Sequence, residues 1–415
     1  MEIYNRLLTD LFVAYYDARR NKRNTINQLR FEINFESNLV KLCEDILNRE
    51  YKIQPSICFI ISNPVKREIF AADFRDRVIH HLIFNYISPS YEQLFIEDSY
   101  SCREKKGTHY GIRRIESFIR ECSNNYTSDC YILKLDIQGY FMNIDRTMLL
   151  TMVEDFVVKT EIKNLPIGKD LFIYLIQCVL NDDPTKRCIV KGSTRDWEGL
   201  PLSKSLFHTP KEKGLPIGNL TSQLFSNVFL HVLDDYIKNT LKIKYYGRYV
   251  DDFIIIHKNK DFLLNLKNDI SNFLNKELSL NIHPKKIFLQ HYSKGVIFLG
   301  AMIKPHRIYI SNRTKKQFIN CIYKWQSYLQ EKTPSDNDLQ KMSSSINSYL
   351  GVMSHYRTYN IKKKILLNNR KNLLIYKYGY ISVKPFKQMK YIIKSQNLPA
   401  SKVLPVDTTE QQYDL

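Results

Sequence analysis

Paired carboxylates are the residues of this chain best suited to chemistry. Asp-Asp occurs three times, at Asp182-Asp183, Asp234-Asp235 and Asp251-Asp252. The first pair precedes a proline in a polar stretch, where a solvated turn explains it. The second lies in a helical pattern, where a polar helix face explains it. The third is different, because it interrupts YVDDFIII, a run of apolar, strand-forming residues.

The position of Asp251 and Asp252 in that run predicts a tight turn that binds metal. Successive side chains of a strand point to opposite faces of the sheet, so one carboxylate would enter the core unless a turn brought both to one edge. Adjacent carboxylates also repel each other, and a bound divalent cation removes that repulsion. The alternative is a plain polar hairpin turn.

Asp136 offers a third carboxylate. It ends the strand pattern YILKLD, and a neighbouring strand could bring it to the same edge of the sheet. Three such acids predict a site for two Mg²⁺ ions, with Mn²⁺ as the alternative metal. Two metals ~3.5–4 Å apart clamp the attacking and leaving oxygens of an in-line phosphoryl transfer. A capping or turn role is the alternative for Asp136.

The charge of the chain predicts a polyanionic partner. Its 415 residues include 62 Lys and Arg against 42 Asp and Glu, which gives a formal net charge of +20. Nucleic-acid phosphate takes up such a surplus and releases its counterions, and the 28 Tyr and 22 Phe could add stacking surfaces. The alternative is that Lys only solvates the surface and the aromatic rings fill the core. An anionic membrane surface is the lesser option.

The composition excludes several classes of protein. Hydrophobic residues make up 44% and charged residues 25% of the chain, which excludes a disordered chain, a collagen and a small disulfide-rich protein. The eight cysteines include no CxxC pair, so zinc-site spacing is absent. No apolar run approaches the ~18 residues of a transmembrane helix, and the N-terminus lacks the order of a secretory signal. We therefore expect a cytoplasmic protein with no membrane partner.

Apolar periodicity predicts an α+β fold around the three acids. Strands are expected near residues 131–136, 245–257 and 287–310, in one central sheet. Helical patterns are typical of the N-terminal part and of the region after Thr314. Residues 181–213 are polar and are predicted to be a surface insertion, and the last ~20 residues are expected to be poorly ordered.

Taken in order, these motifs resemble those of a reverse transcriptase. The set consists of Leu135-Asp136 with Tyr140-Phe141, then residues 214–223, Tyr249–Asp252 and Phe298–Gly300. The similarity covers residues 60–360 and implies a right-hand polymerase fold. It assigns an N-terminal extension and fingers to 1–130, a palm with an antiparallel sheet to 131–300, a helical thumb to 301–385 and a C-terminal tail to 386–415.

The resemblance also implies a role for the acids and their neighbours. Asp136 and Asp251 would bind Mg²⁺ and catalyse nucleotidyl transfer, with Asp252 as the accompanying acid. The backbone of Ile137 would help to hold a metal. Phe141 falls where the family places a bulky ring that excludes the 2′-OH of a ribonucleotide. Core packing is the alternative for Phe141.

Three basic residues are implied to contact the nucleotide. Arg75 and Arg103 lie in stretches similar to the fingers motifs, whose cations bind the incoming triphosphate through charge-assisted hydrogen bonds. Lys286 resembles the lysine that can protonate the leaving pyrophosphate.

The middle motif departs from the retroviral pattern. Ile217, Gly218 and Gln223 stand where retroviral enzymes have Gln-Gly and a Pro, and they are predicted to bind substrate near the templating pair. Ile217 offers no hydrogen bond there, which predicts modestly low fidelity. This pattern resembles the enzymes of diversity-generating retroelements and related bacterial groups, some of which act in anti-phage defence.

An RNA-directed DNA polymerase is the leading hypothesis. Its partners would be an RNA template, a DNA product and dNTPs, with a dedicated non-coding RNA as the expected template and a defence role favoured. An accessory protein or a second copy of the chain is left open. The alternatives are an error-prone reverse transcriptase of a diversity-generating retroelement, an RNA-dependent RNA polymerase, which Phe141 opposes, and an inactive RNA-binding scaffold, which the intact acids oppose.

Overall fold

A computed structural model describes residues 1–20, 25–62, 65–163, 165–385 and 388–394. The chain divides into two compact units, Met1–Lys294 and Gly295–Leu415. Both mix helices with antiparallel strands, so the predicted α+β composition is confirmed. Within the described residues, no helix is both long and apolar enough to cross a lipid bilayer.

The first unit begins with helices that pack by their apolar faces. They are α1 (Glu2–Arg19), α2 (Ile26–Ile33) and α3 (Phe35–Leu47), followed after a β-hairpin by α4 (Phe74–Leu94). The buried residues of α3 are Leu39, Leu42, Cys43 and Ile46, a spacing that places them on one face of a helix. Asp73 caps α4 by accepting a hydrogen bond from the Arg75 amide (3.0 Å).

A small sheet precedes the central one. Strand β1 (Ile57–Ile61) pairs antiparallel with β2 (Arg67–Ala71), and β4 (Ile189–Val190), from the predicted insertion, adds in parallel to β1. The insertion is anchored as well as exposed. Glu68 on β2 is buried and accepts hydrogen bonds from Trp197 Nε1 (2.6 Å), Ser205 Oγ (2.8 Å) and the Leu206 amide (2.6 Å).

The central sheet has the strand order β5-β6-β3-β7 and is antiparallel. Its strands are β3 (Tyr131–Asp136), β5 (Tyr245–Tyr249), β6 (Asp252–His257) and β7 (Phe288–His291). In this register Asp136 on β3 lies opposite Asp252 on β6. The remaining helices of the unit are α5 (Thr108–Cys122), α6 (Tyr140–Asn143), α7 (Arg146–Lys159), α8 (Gly168–Asn181), α9 (Leu220–Asp235) and α10 (Lys260–Leu278).

The prediction of one sheet across 287–310 is wrong beyond β7. Strands β8 (Val296–Phe298), β9 (Ala301–Lys304) and β10 (Arg307–Ile310) form a separate three-stranded antiparallel sheet in the second unit. Gly295 precedes β8 and Gly300 lies between β8 and β9. Both have a positive φ, which lets the chain change direction at these positions.

The second unit continues with α11 (Asn312–Glu331), α12 (Asp336–Ser354), α13 (Tyr359–Lys362) and α14 (Ile375–Tyr378). It also contains an antiparallel hairpin, β11 (Gly379–Lys384) with β12 (Gln388–Ile393), which packs against α12. The helical thumb that the resemblance implied for 301–385 did not include this hairpin. Its first strand, GYISVK, is short and amphipathic, so helical periodicity does not separate it from the preceding helix. The expectation of a poorly ordered end falls on residues outside the described ranges.

Candidate active site

The turn between β5 and β6 presents the Asp251-Asp252 pair. We call residues Tyr245–His257 the Asp251 hairpin. Val250 at its tip has φ of 56°, a left-handed conformation that costs energy for a β-branched residue. Its amide donates to Ser101 Oγ (3.2 Å), and the Ile137 amide donates to the Asp251 carbonyl (3.2 Å). These contacts hold the unfavourable turn in place.

A fully buried ion pair supports the turn from the protein interior. Arg248 and Asp234 both have no solvent exposure. Arg248 Nε donates to Asp234 Oδ1 (2.8 Å), Nη2 donates to Oδ2 (2.5 Å) and Nη1 donates to the Val250 carbonyl (3.0 Å). The Tyr246 hydroxyl also donates to Asp234 (2.6 Å). The interpretation of Asp234 as part of a polar helix face is therefore wrong, because α9 turns this carboxylate into the core.

Two further side chains and a neighbouring segment complete this support. Arg248 also donates to Ser99 Oγ (3.2 Å) and Asn227 Oδ1 (3.3 Å). The backbone of residues 98–100 runs beside β5. The Arg248 amide donates a hydrogen bond to the Asp98 carbonyl (2.8 Å), and the Tyr100 amide donates one to the Arg248 carbonyl (2.9 Å). A Cβ at Gly247 would lie 2.2 Å from the Tyr100 hydroxyl, so a larger residue there would displace the buried Tyr100 ring.

The sheet register brings Asp136 to the hairpin, and lysines neutralise part of the charge. Lys134 Nζ lies 3.0 Å from Asp252 Oδ2. Lys286 Nζ lies 2.8 Å from both carboxylate oxygens of Asp136. Two backbone hydrogen bonds position Lys286 beside Asp136. The His283 amide donates to the Asp136 carbonyl (2.7 Å), and the Lys286 amide donates to the His283 carbonyl (3.0 Å).

The surroundings of Asp251 and Asp252 disfavour the charged forms of both carboxyl groups. Burial raises the pKa of Asp251 to about 6, the charge of Asp136 adds to this shift, and the cations Lys286 and Arg67 oppose it. Burial likewise raises the pKa of Asp252 to about 6, against the opposing effect of Lys134. The site thus holds more negative charge than its protein surroundings compensate.

The chemistry of these acids fits a divalent cation. Carboxylate oxygens are the ligands that Mg²⁺ prefers, and Asp252 Oδ1 is buried without a hydrogen-bond partner among the residues that the structure describes. Over the same residues, no group of three or more His, Cys, Asp or Glu side chains is arranged to hold a metal. In this structure the lysine ammonium groups are the cations beside the acids.

Phe141 lies half-buried between two apolar clusters. It packs against the large core of the first unit and against the small cluster around Phe70 and Met142. Its carbonyl accepts a hydrogen bond from the Leu215 amide (2.8 Å). The predicted steric role of Phe141 stays a prediction.

The middle motif docks onto β2 rather than onto the acids. The Ile217 carbonyl accepts from the Phe70 amide (2.8 Å), and the Ile217 side chain packs against the Phe70 cluster. Gly218 has φ of 135°, and a Cβ there would lie 2.8 Å from the Phe70 carbonyl oxygen. Gln223 is exposed on α9.

The two predicted arginines make structural contacts. Arg75 pairs with Asp45 (2.5 Å), and Arg103 pairs with Glu92 (2.8 Å) while donating to the carbonyls of Ile96 and Ser99. The Arg103 side chain is only 5% exposed. Their predicted triphosphate contacts stay predictions.

Sequence reasoning missed residues that the fold brings to the acids. Arg67, exposed at the start of β2, is one of the cations that lower the pKa of Asp251. Arg248 and Asp234 support the hairpin from the core. The available signal was an arginine inside a strand of tyrosines, YYGRY, and an aspartate in the apolar stretch FLHVLD of α9, since a buried charge needs a partner.

Comparison with known proteins places this fold in a family. Residues 66–303 match the family model described as reverse transcriptase (RNA-dependent DNA polymerase). This chain belongs to the reverse transcriptase family. The match confirms the predicted family and, with it, the right-hand polymerase fold. Reverse transcriptases generally depend on a divalent metal, which agrees with the chemistry of the three acids.

Individual relatives of this reverse transcriptase are distant. Protein YkfC of Escherichia coli is 21% identical over 309 residues, which cover 66% of this chain and 73% of YkfC. The group II intron-encoded protein LtrA of Lactococcus lactis is 20% identical over 396 residues, covering 77% of this chain and 60% of LtrA. Telomerase from Candida tropicalis aligns with a TM-score of 0.44 at 14% identity, over 66% of this chain and 60% of that chain. The chain thus spans less than two thirds of LtrA and of that telomerase.

The raised pKa values predict a pH-dependent stability for this reverse transcriptase. Because Asp251 has a pKa of about 6 when folded and an ordinary value of 3.8, the folded state favours its protonated form. Without divalent cations, the free energy of unfolding should therefore fall as the pH rises from 4 to above 6. Asp251→Asn removes that penalty and should be more stable than the wild type by about 3 kcal/mol at pH 7.5, and by less than about 1 kcal/mol at pH 4.

Urea unfolding in EDTA from pH 4 to pH 8 measures this difference. Added Mg²⁺ should narrow it at pH 7.5, because the cation stabilises only the wild-type carboxylates. Parallel stability curves for the two proteins across the whole pH range would contradict the assignment of Asp251 as a stressed, cation-requiring acid.

Proposed function

We propose that this chain is an RNA-directed DNA polymerase that extends a primer along an RNA template by two-metal nucleotidyl transfer. The observation that supports this most is the meeting of Asp136 with the Asp251 hairpin at one edge of the central sheet. Within this proposal the fingers and N-terminal extension occupy 1–130, the palm 131–300, the thumb 301–385 and the tail 386–415.

The protein residues divide the work of the reaction. Asp136 and Asp251 would hold the metals, with Asp252 and the backbone of Ile137 beside them. Bound divalent ions supply Lewis-acid activation of the primer hydroxyl and charge stabilisation on the phosphates. Lys286, paired with Asp136, carries a proton on Nζ that it can give to the leaving pyrophosphate, and the exposed Arg67 adds positive charge where a triphosphate would approach.

Loss of the hairpin acids should abolish the reaction. Asp251→Asn with Asp252→Asn removes two negative charges from the metal site, so extension of a primer on an RNA template with dNTPs and Mg²⁺ should fall by at least a thousandfold. The matched control is Asp182→Asn with Asp183→Asn, the same dipeptide in the insertion, which should retain wild-type extension. Extension by the hairpin variant within tenfold of the wild type would contradict the two-metal proposal.

Phe141 is the residue proposed to select deoxyribonucleotides over ribonucleotides. Its half-buried ring packs against two apolar clusters, and this packing would hold the ring in place beside a sugar. Phe141→Ala should raise the ratio of ribonucleotide to deoxyribonucleotide incorporation by about tenfold or more in single-nucleotide extension. Phe141→Tyr retains the bulk and serves as the control. An active Phe141→Ala protein with unchanged selectivity would return Phe141 to a packing role.

For the biological role, we propose cytoplasmic copying of a dedicated non-coding RNA in anti-phage defence. The Ile217 and Gln223 motif supports a place near the diversity-generating and defence-associated bacterial enzymes, and low fidelity in a diversity-generating retroelement is the second candidate. Sequencing the RNA that co-purifies with the protein separates them: one conserved non-coding RNA supports defence, whereas a transcript of a repeat beside a variable gene supports diversity generation. An accessory protein or a second copy of the chain would appear in the same purification.

A further inference from the structure

The second unit contains a cationic cavity that the polymerase chemistry does not use. Its volume is about 400 Å³, and its lining includes Arg307, Arg357 and Lys362 but no carboxylate. Three like charges around one concave space repel each other, and an anion in that space would relieve the repulsion. The lining therefore suits an anionic ligand.

Lys362 is the least exposed of these cations. Lys362 is only 3% exposed. None of the ion pairs found among the described residues includes it. Burial lowers its pKa, because partial withdrawal from water disfavours the charged ammonium form. A cation at this position would gain a charge-assisted hydrogen bond from an anionic ligand that enters the cavity.

The backbone fixes Lys362 where it lines the cavity. The Lys362 amide donates to the Thr358 carbonyl (3.0 Å), and the Thr358 hydroxyl donates to the Met353 carbonyl at the end of α12 (2.6 Å). Lys362 is thus tied through the first turn of α13 to the core of the second unit. Arg357, one residue before Thr358, is exposed and so lies at the rim of the same cavity.

Aromatic side chains complete the lining. Tyr356 and Tyr359 line the cavity and pack, half-buried, against the core of the second unit. The guanidinium of Arg307 lies 4.6 Å from the ring centre of Tyr309, a cation–π contact that favours this position of the cation. Cations that bind phosphate, placed beside rings that can stack on a base, are the pattern of single-stranded nucleic-acid binding.

We propose that this cavity binds one unpaired nucleotide of a nucleic-acid strand, with its phosphodiester among Arg307, Arg357 and Lys362 and its base against the tyrosines. A volume of about 400 Å³ is in the range of small-ligand pockets and admits a nucleotide rather than a duplex. The site lies wholly within the second unit and needs neither the acids nor a metal, so it goes beyond the proposed polymerase activity.

Photo-crosslinking of the full chain tests the site directly. Octamers of RNA containing 4-thiouridine, and of DNA containing 4-thiothymidine, are irradiated with the protein in EDTA without dNTPs, and crosslinked peptides are mapped by mass spectrometry. We expect a crosslink in residues 354–362. The RNA and DNA arms show whether template or product occupies the cavity. Since catalysis is excluded, the result is independent of whether the polymerase proposal holds.

Three variants make the assignment specific. Lys362→Met retains the length of the side chain but not its charge, and should lower the yield of that crosslink about tenfold, since a charge-assisted hydrogen bond is lost. Arg357→Gln at the exposed rim should lower it as well, and it keeps the test valid if Lys362→Met fails to fold. Lys363→Gln removes the same charge one residue away, from an exposed side chain outside the lining, and should leave the yield unchanged. No crosslink in residues 354–362 with either octamer, or one that survives both cavity variants, would overturn the proposal.

Discussion

Arg248 and Asp234 form an ion pair that no solvent reaches, and the Asp251 hairpin is built around it. Removing two charges from water costs several kcal/mol per ion unless hydrogen bonds satisfy them. Here Arg248 makes five, to Asp234, Asn227, Ser99 and the Val250 carbonyl. The pair thereby connects α9, the segment before α5 and the hairpin tip in one network. A network of this kind fixes geometry more than it adds stability.

This arrangement disfavours the charged forms of the two acids in the hairpin. Holding Asp251 and Asp252 in a buried turn raises the pKa of both to about 6, and the left-handed Val250 adds backbone strain. Lys134 and Lys286 compensate part of the charge. Groups held in an unfavourable environment are common at functional sites, where function opposes stability.

The sequence predicted the turn at Asp251-Asp252 because the two acids break a pattern. Two aspartates inside YVDDFIII cannot be hidden in a strand, so a turn and a charged site follow from the alternation of side chains. Asp234 was missed for the opposite reason: a charge at the end of a helix looks the same whether it faces water or a buried arginine. Only the tertiary fold reveals its partner, 14 residues away. Glu68, which anchors the insertion through three contacts, was hidden in the same way, as was the β11–β12 hairpin after a helical stretch.

Hydrogen exchange of backbone amides, compared between Asp234→Asn and Asp235→Asn, tests the positioning of the hairpin most directly. The two aspartates are neighbours on α9, but Asp234 is buried and Asp235 is exposed. If the buried pair holds the turn, Asp234→Asn should exchange at least tenfold faster in residues 98–101 and 245–257 while α1 and α4 keep their protection, and Asp235→Asn should match the wild type. Unchanged protection of the Asp251 hairpin in Asp234→Asn would contradict a positioning role for the pair.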